Sequence, residues 1–180
     1  PDTCTIQINN ANSSISREGN VCYVNKTGQS DNTYTYRVYV TDIGGNTGAS
    51  STQTITLDNI APTVTLASPT ATIYFSTTVD LKVKANEAAT WTYSINGAAN
   101  QSFSPNTTIS AALGSNTIYV YAADAAGNKG RENITFTVDN TGPNAIQFVS
   151  PTDSPGAAVS RNWYYVNITF NDTNPDACMF

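Results

Sequence analysis

The chain lacks histidine altogether, and among its 180 residues there are one methionine, three cysteines and only 12% charged side chains. Without histidine, the usual general base and the usual zinc ligand are both gone. Lys and Arg number 8 against 13 Asp and Glu, a net charge of −5, so the basic footprint of a nucleic-acid binder is missing. No apolar run approaches the roughly 18–20 residues that cross a bilayer as a helix. The helix formers Lys and Glu are scarce, and nowhere do apolar residues recur at helical spacing. Pro1 opens the chain with no signal-peptide pattern after it, which reads as a window from a longer translation product.

Thr, Asn and Ser supply 27, 21 and 16 residues. Thr, Val, Ile and Tyr fit a pleated, half-buried surface, while Asn, Gly and Asp fit turns. The expectation is an all-β chain of short strands and turns, with a hydroxyl- and amide-rich surface of the kind common outside the cell.

One repeat organises the sequence. Tyr34-Thr-Tyr-Arg-Val-Tyr-Val-Thr-Asp42-Ile-Gly-Gly-Asn46 matches Asn116-Thr-Ile-Tyr-Val-Tyr-Ala-Ala-Asp124-Ala-Ala-Gly-Asn128. Thr54-Ile-Thr-Leu-Asp58-Asn-Ile-Ala-Pro62 matches Thr135-Phe-Thr-Val-Asp139-Asn-Thr-Gly-Pro143, and Ser68-Pro69-Thr70 matches Ser150-Pro151-Thr152. The offset is about 82 residues, the size of one small β-sandwich. Alternation places Tyr36, Val38 and Val40 on one face, with Ile118, Val120 and Ala122 as counterparts. Ile55 and Leu57 correspond to Phe136 and Val138. Val79–Ala85 corresponds to Val166–Asp172, and continuing that register sets Trp91 against Cys178. Trp91, Tyr93 and Ile95 likewise align with Cys4, Ile6 and Ile8. Residues 60–141 are therefore expected to form one whole sandwich, with strands near 63–67, 79–85, 90–96, 101–103, 107–110, 116–123 and 133–138. Residues 1–59 are expected to be the later part of a preceding sandwich and 142–180 the opening part of a third.

Pro1-Asp-Thr-Cys4 recurs as Pro175-Asp-Ala-Cys178, which points to a longer period of 174 residues built from two unlike modules. On that reading Cys178 is the next copy of Cys4, and its partner lies beyond the 180 residues.

The D-x-x-G-N turn, the T-x-D-N-x-x-P crossing and the following S-P-T resemble the tandem Ig-like repeats of bacterial and archaeal adhesins and surface-layer or stalk proteins. The resemblance implies tandem immunoglobulin-like β-sandwiches, here one complete and two partial. It also implies an extracellular, cell-surface protein of structural or adhesive kind.

Cys4 and Cys22 fall on neighbouring expected strands. A disulfide between them would contribute about 3 kcal/mol in the chain-entropy account; the alternative is two buried thiols. The Asp42-x-x-Gly45-Asn46 and Asp124-x-x-Gly127-Asn128 loops read as turns in which Asp accepts backbone N–H bonds and Gly takes positive φ. Calcium is the sharper alternative, but each loop brings too few carboxylates for a closed oxygen cage. At the linkers, Asp58 and Asn59, and again Asp139 and Asn140, offer oxygens that related adhesin repeats use to bind calcium, with Asp80, Glu87, Asp153 and Asp172 as candidates to complete a shell. A metal-free linker stiffened by Pro62 and Pro143 is the preferred reading, and no other cofactor is expected. Seven N-x-S/T sequons stand at Asn12, Asn25, Asn100, Asn106, Asn133, Asn167 and Asn171. Among the outward aromatics Tyr39, Tyr119, Tyr121, Trp163 and Tyr164, the pair Tyr119 and Tyr121 shares a strand face and forms the candidate contact patch.

Catalysis has no visible basis, and the outward placement of Lys82 and Lys84 argues against a Lys–Asn isopeptide cross-link. The expected function is that of a structural component of a surface filament, stalk or layer. The alternatives are an adhesin array that binds a glycan or protein, and an accessory module of a secreted enzyme. Expected partners are neighbouring copies of the repeat, joined end to end or by strand donation. A partial sandwich exposes unpaired edges and an open core, so the first strands of 1–59 are expected from preceding sequence or from a neighbour.

Overall fold

The computed structural model describes residues 2–172. Among these there are seventeen strands and no helix, so none that is long and apolar enough to cross a membrane.

The first segment is a sheet built around β1 (Thr3–Ile8) and β5 (Asn32–Thr41), which pair antiparallel with Cys4 opposite Val40 and Ile8 opposite Tyr36. β2 (Ala11–Ser14) returns along β1 through the two-residue turn Asn9-Asn10, at φ 46° and 67°. A two-residue hairpin with positive φ at both positions selects Asn or Gly, which explains that pair. β6 (Thr47–Ala49) and β7 (Gln53–Leu57) both pair with β5. β3 (Ser16–Glu18) and β4 (Val21–Tyr23) form a separate ribbon, attached to β1 by the Cys4–Cys22 disulfide with Cα atoms 6.1 Å apart. Cys4 and Ile6 are buried.

The middle segment comprises β8 (Val64–Ser68), β9 (Ile73–Tyr74), β10 (Thr78–Ala85), β11 (Thr90–Ile95), β12 (Gln101–Phe103), β13 (Thr107–Ser110), β14 (Gly114–Ala123) and β15 (Lys129–Val138). They make one sheet in the order β13-β10-β8 and another in the order β12-β11-β14-β15-β9. Period-two alternation buries one face of each long strand: Val79, Leu81 and Val83 of β10, Ile118, Val120 and Ala122 of β14, and Phe136 and Val138 of β15. Trp91 of β11 is buried as well, in the register position that Cys4 holds in the first segment. Tyr74 meets Phe136 edge-on at 5.5 Å. The buried amide of Asn116 is fully engaged, as buried polar groups must be. It accepts from Asn96 Nδ2 at 2.8 Å and Ala112 N at 3.0 Å, and donates to the carbonyls of Ala112 and Gly114 at 2.7 and 2.9 Å.

Beyond shifts of one residue at strand ends, three strands of the middle segment differ from expectation. β14 starts at Gly114 and β15 at Lys129, because their polar first turns extend the pairing without an apolar pattern to announce it. β9 is two residues long and pairs in parallel with the end of β15, too short for any periodicity to show.

In the third segment β16 (Asn144–Phe148) and β17 (Ile168–Asn171) pair antiparallel, with an irregularity between Asn144 and Gln147. In the loop between them Asp153 pairs with Arg161 and accepts the Tyr165 N–H at 3.1 Å, and Arg161 stacks over Trp163 at 4.3 Å. Cys178 lies outside the described residues.

By contact density the chain divides into two compact units. One takes in the chain up to Val64 with Ala85–Trp91 and Tyr121–Arg131. The other takes in Thr65–Lys84, Thr92–Val120 and the chain from Glu132 onward.

Candidate functional site

The first of these units holds the site, because it gathers the linker 58–64 and the loops 85–91 and 121–131. The D-x-x-G-N turn is its foundation. Asp124 Oδ1 accepts the Gly127 and Asn128 N–H groups at 2.7 and 2.9 Å, and Oδ2 accepts Asn128 Nδ2 at 2.9 Å. The backbone closes beneath it, Asp124 N donating to Asn128 O at 3.1 Å, while Gly127 sits at φ 95°, a conformation that favours glycine. Asp42 repeats the arrangement. Its Oδ1 takes the Asn46 N–H and its Oδ2 takes Asn46 Nδ2, both at 2.9 Å, with Gly45 at φ 86°. Hydrogen bonds from the Asn46 side chain and backbone hold the Asp42 carboxyl below the ordinary value. Burial pushes the Asp124 carboxyl up, but the bonds from Asn128, Gly127 and Ala126 outweigh it and leave it lowered too.

The two turns differ in what else they hold. Asn128 Nδ2 also donates to the Asp58 carbonyl at 3.0 Å, so the turn's amide grips the linker. A second bond secures the linker further on, where Thr63 N donates to Asn86 Oδ1 at 2.7 Å. Asp58 Oδ1 accepts the Ile60 N–H at 3.0 Å. Between these bonds the Pro62 carbonyl lies directly over buried Gly130. A Cβ on Gly130 would fall 2.9 Å from the Pro62 carbonyl carbon and nearer still to its oxygen. Gly48 holds the same place in the first copy, where a Cβ would meet nothing within 4 Å. Sequence reading passed over this second glycine. Its signal was the recurrence of Gly-Asn-x-Gly at 45–48 and 127–130.

Three carboxylates converge on the linker. Oxygens of Asp58, Glu87 and Asp124 lie within 4.8 Å of one another, Glu87 exposed and the other two half-buried. Of the expected shell, Glu87 joins Asp58, while Asp80 pairs instead with Lys82 at 2.7 Å and Asp153 with Arg161. Asp124, for which the sequence favours the turn with calcium as the alternative, is the third member. Asn59 turns to Asp31, donating Nδ2 to Oδ1 at 2.9 Å. At the following linker Asp139 Oδ1 accepts both the Thr141 N–H and hydroxyl, at 3.0 and 2.8 Å, and Asn140 is exposed. Three negative oxygens suit a hard cation that takes six to eight oxygen ligands, with water and carbonyls completing the set.

Asn12, Asn25, Asn100, Asn106, Asn133 and Asn171 are exposed and Asn167 is half-buried, its backbone N–H donating to Thr152 Oγ1 at 2.6 Å. Tyr119 and Tyr121 are half-buried on the face of β14 opposite Ile118, Val120 and Ala122. Tyr39 lies under Arg37, whose guanidinium is 4.6 Å from the ring centre. Trp163 and Tyr164 are exposed, and Lys82 and Lys84 both point outward.

Alternating all-β segments with this strand order define a tandem immunoglobulin-like β-sandwich chain. No protein-family model matches it. Over 93 residues it is 37% identical to halomucin of Haloquadratum walsbyi (strain DSM 16790 / HBSQ001), a match covering 47% of this chain and 1% of that protein. Among solved structures, the fibronectin(III)-like modules of Clostridium thermocellum CbhA align at 15% identity and TM-score 0.46, over 76% of this chain and 77% of theirs. A 1.5-MDa bacterial ice-binding adhesin aligns at 23% and 0.43, over 81% and 57%. A chimeric titin Z1Z2 tandem aligns at 15% and 0.30, over 77% and 84%.

Proposed function

We propose that the chain is a structural stretch of an extracellular cell-surface protein, a non-catalytic spacer whose work is to hold β-sandwich modules in a fixed series as part of a filament, stalk or layer. The observation that carries this reading is the bonded linker: Asp58 held by Asn128, Thr63 held by Asn86, and Pro62 seated on Gly130. A connector meant to flex would leave its backbone groups to water; this one spends side-chain amides on them. The resemblance to a stretch of halomucin supports a surface location. Single-molecule pulling tests the reading. The 64–138 module should give one discrete unfolding event releasing about 250 Å of chain. Smooth extension with no such event would contradict it.

Two features of the site belong to the same proposal. The Asp58, Glu87 and Asp124 carboxylates would take calcium, stiffening the linker further. Calcium should then raise the melting temperature and a chelator reverse it, with Glu87→Gln abolishing the response; an unchanged melting temperature removes calcium from the account. The exposed sequons would serve as glycan acceptors, which intact mass of the natively produced protein decides.

A further inference from the structure

The middle segment has one side where both of its sheets end. β12 is the last strand of one sheet and β13 the last of the other, so each turns a backbone edge outward with no strand beside it among the described residues. The chain crosses between them through residues 104–106 alone. A groove of about 470 Å³ lies against this crossing, within the range of about 300–1,000 Å³ common for small-ligand sites. Ser102, Thr107 and Thr108 bring hydroxyls to it, and Gln101 an amide. Tyr93 and Phe103 bring two half-buried rings that meet edge-on at 5.5 Å. The Tyr93 hydroxyl is steadied by donating to Gln101 Oε1 at 3.0 Å. Such a wall suits a sugar, whose C–H face lies on an aromatic ring while its hydroxyls meet polar groups.

The anchor for that sugar stands in the wall itself. Two of the seven sequons flank the groove, Asn100-Gln101-Ser102 and Asn106-Thr107-Thr108. Asn106 lines it, whereas Asn100 stands just before it in the chain. Asn106 has a φ of 64°, which asparagine tolerates better than most residues. At two other turns with positive φ the asparagine acts as a local brace. Asn9 Oδ1 accepts the Thr35 N–H at 3.0 Å, and Asn96 Oδ1 accepts the Thr117 N–H at 2.9 Å. The exposed side chain of Asn106 makes no hydrogen bond among the described residues. The turn therefore accounts for its backbone and leaves its amide without a task.

We propose that Asn106 carries an N-linked glycan whose first sugars lie back in this groove, stacked on Tyr93 and Phe103 and covering the outer edges of β12 and β13. In the attachment, catalysed by a transferase of the producing cell, Asn106 Nδ2 forms a C–N bond to the anomeric carbon of a glycosyl phosphate donor. The anomeric C–O bond breaks, the phosphate leaves with its electron pair, and the amide gives up one proton to solvent. Covered edges offer no template to another strand, which keeps adjacent copies in an array from pairing edge to edge. The proposal rests on the reading of exposed sequons as glycan acceptors and deepens it to one site and one bound conformation.

The test compares the natively produced chain with the same chain made in cells without N-glycosylation, by glycopeptide mass spectrometry and hydrogen exchange. Asn106 should be occupied, and the outward amides of β12 and β13 should exchange about tenfold faster in the glycan-free chain, with the β14 amides unchanged. Natively produced Thr108→Ala destroys only this sequon, at an exposed position, and should exchange like the glycan-free chain. Attachment supplies an effective concentration of about millimolar, so released glycan at micromolar concentration should leave the glycan-free chain unchanged. If released glycan slows exchange there, the groove is a receptor for free sugar and the proposal is overturned. Occupancy of other sequons with Asn106 bare also overturns it but leaves the acceptor reading standing, whereas a chain with no glycan anywhere overturns both. An occupied Asn106 with exchange equal to that of the glycan-free chain means a glycan that points into solvent, and the groove assignment fails.

Discussion

Replacing Gly130 with alanine should be far more damaging than the same change at Gly48, although the two occupy equivalent places in the repeat. At Gly130 the new methyl would stand 2.9 Å from the Pro62 carbonyl carbon, where ordinary contact begins at 3.4 Å, and it would crowd the carbonyl oxygen more severely. Both partners are backbone, so no side chain can swing aside. Overpacking of this kind costs about 1–3 kcal/mol. If the linker lifts away to relieve it, the Thr63–Asn86 and Asn128–Asp58 bonds go with it, each worth about 1 kcal/mol. The expected loss is about 3 kcal/mol, or on the order of 10–20 °C in the melting temperature of a module this size. At Gly48 a methyl meets open space, and lower unfolded-state entropy makes the change neutral or stabilising by about 0.5 kcal/mol. Calorimetry on both variants reads the difference, and limited proteolysis within 58–63 reads release of the linker. Equal melting temperatures for the two variants would refute the close approach of Pro62 to Gly130.

Other expectations follow from single contacts. Reducing the Cys4–Cys22 disulfide should remove about 3 kcal/mol from the first segment and leave the 64–138 transition in place, resolvable as separate calorimetric transitions. Phe136→Ala in the buried core should lose about 3–5 kcal/mol, whereas Ile55→Ala at its exposed counterpart should lose much less, as denaturant midpoints would report. Asp42 and Asp124 have carboxyls lowered in the folded state. Their stabilising effect is therefore fully present above the ordinary carboxylate pKa of about 4 and fades as pH falls below it. Asp124→Asn should flatten that acid limb of the melting-temperature profile, and an unchanged limb would count against the turn bonds.

The architecture was legible wherever burial follows a short period. Ile118, Val120 and Ala122 alternate in sequence and are all fully buried, because a strand has only two faces to choose between. The paired turns were legible from Asp, Gly and Asn at fixed offsets, since their bonds are local. Convergence of Glu87 on Asp58 and Asp124 was not, because it depends on where three separate loops finish. Asp80, an equal candidate by composition, has Lys82 beside it on the same strand and pairs there. The roles of Asn86 and Gly130 were hidden for the same reason: a glycine reads as a turn until the backbone lying on it is known. β9 and the β3–β4 ribbon were too short for a pattern to form.

The linker is a bonded part of the fold, and the Thr63 amide measures this most directly. Its N–H is held by Asn86 Oδ1 at 2.7 Å, in a segment clamped by Asn128 and Gly130. Native-state hydrogen exchange should find Thr63 protected to a degree approaching the β15 amides, with protection lost in Asn86→Ala. Exchange of Thr63 at the rate of an unstructured peptide in the unaltered chain would contradict the account.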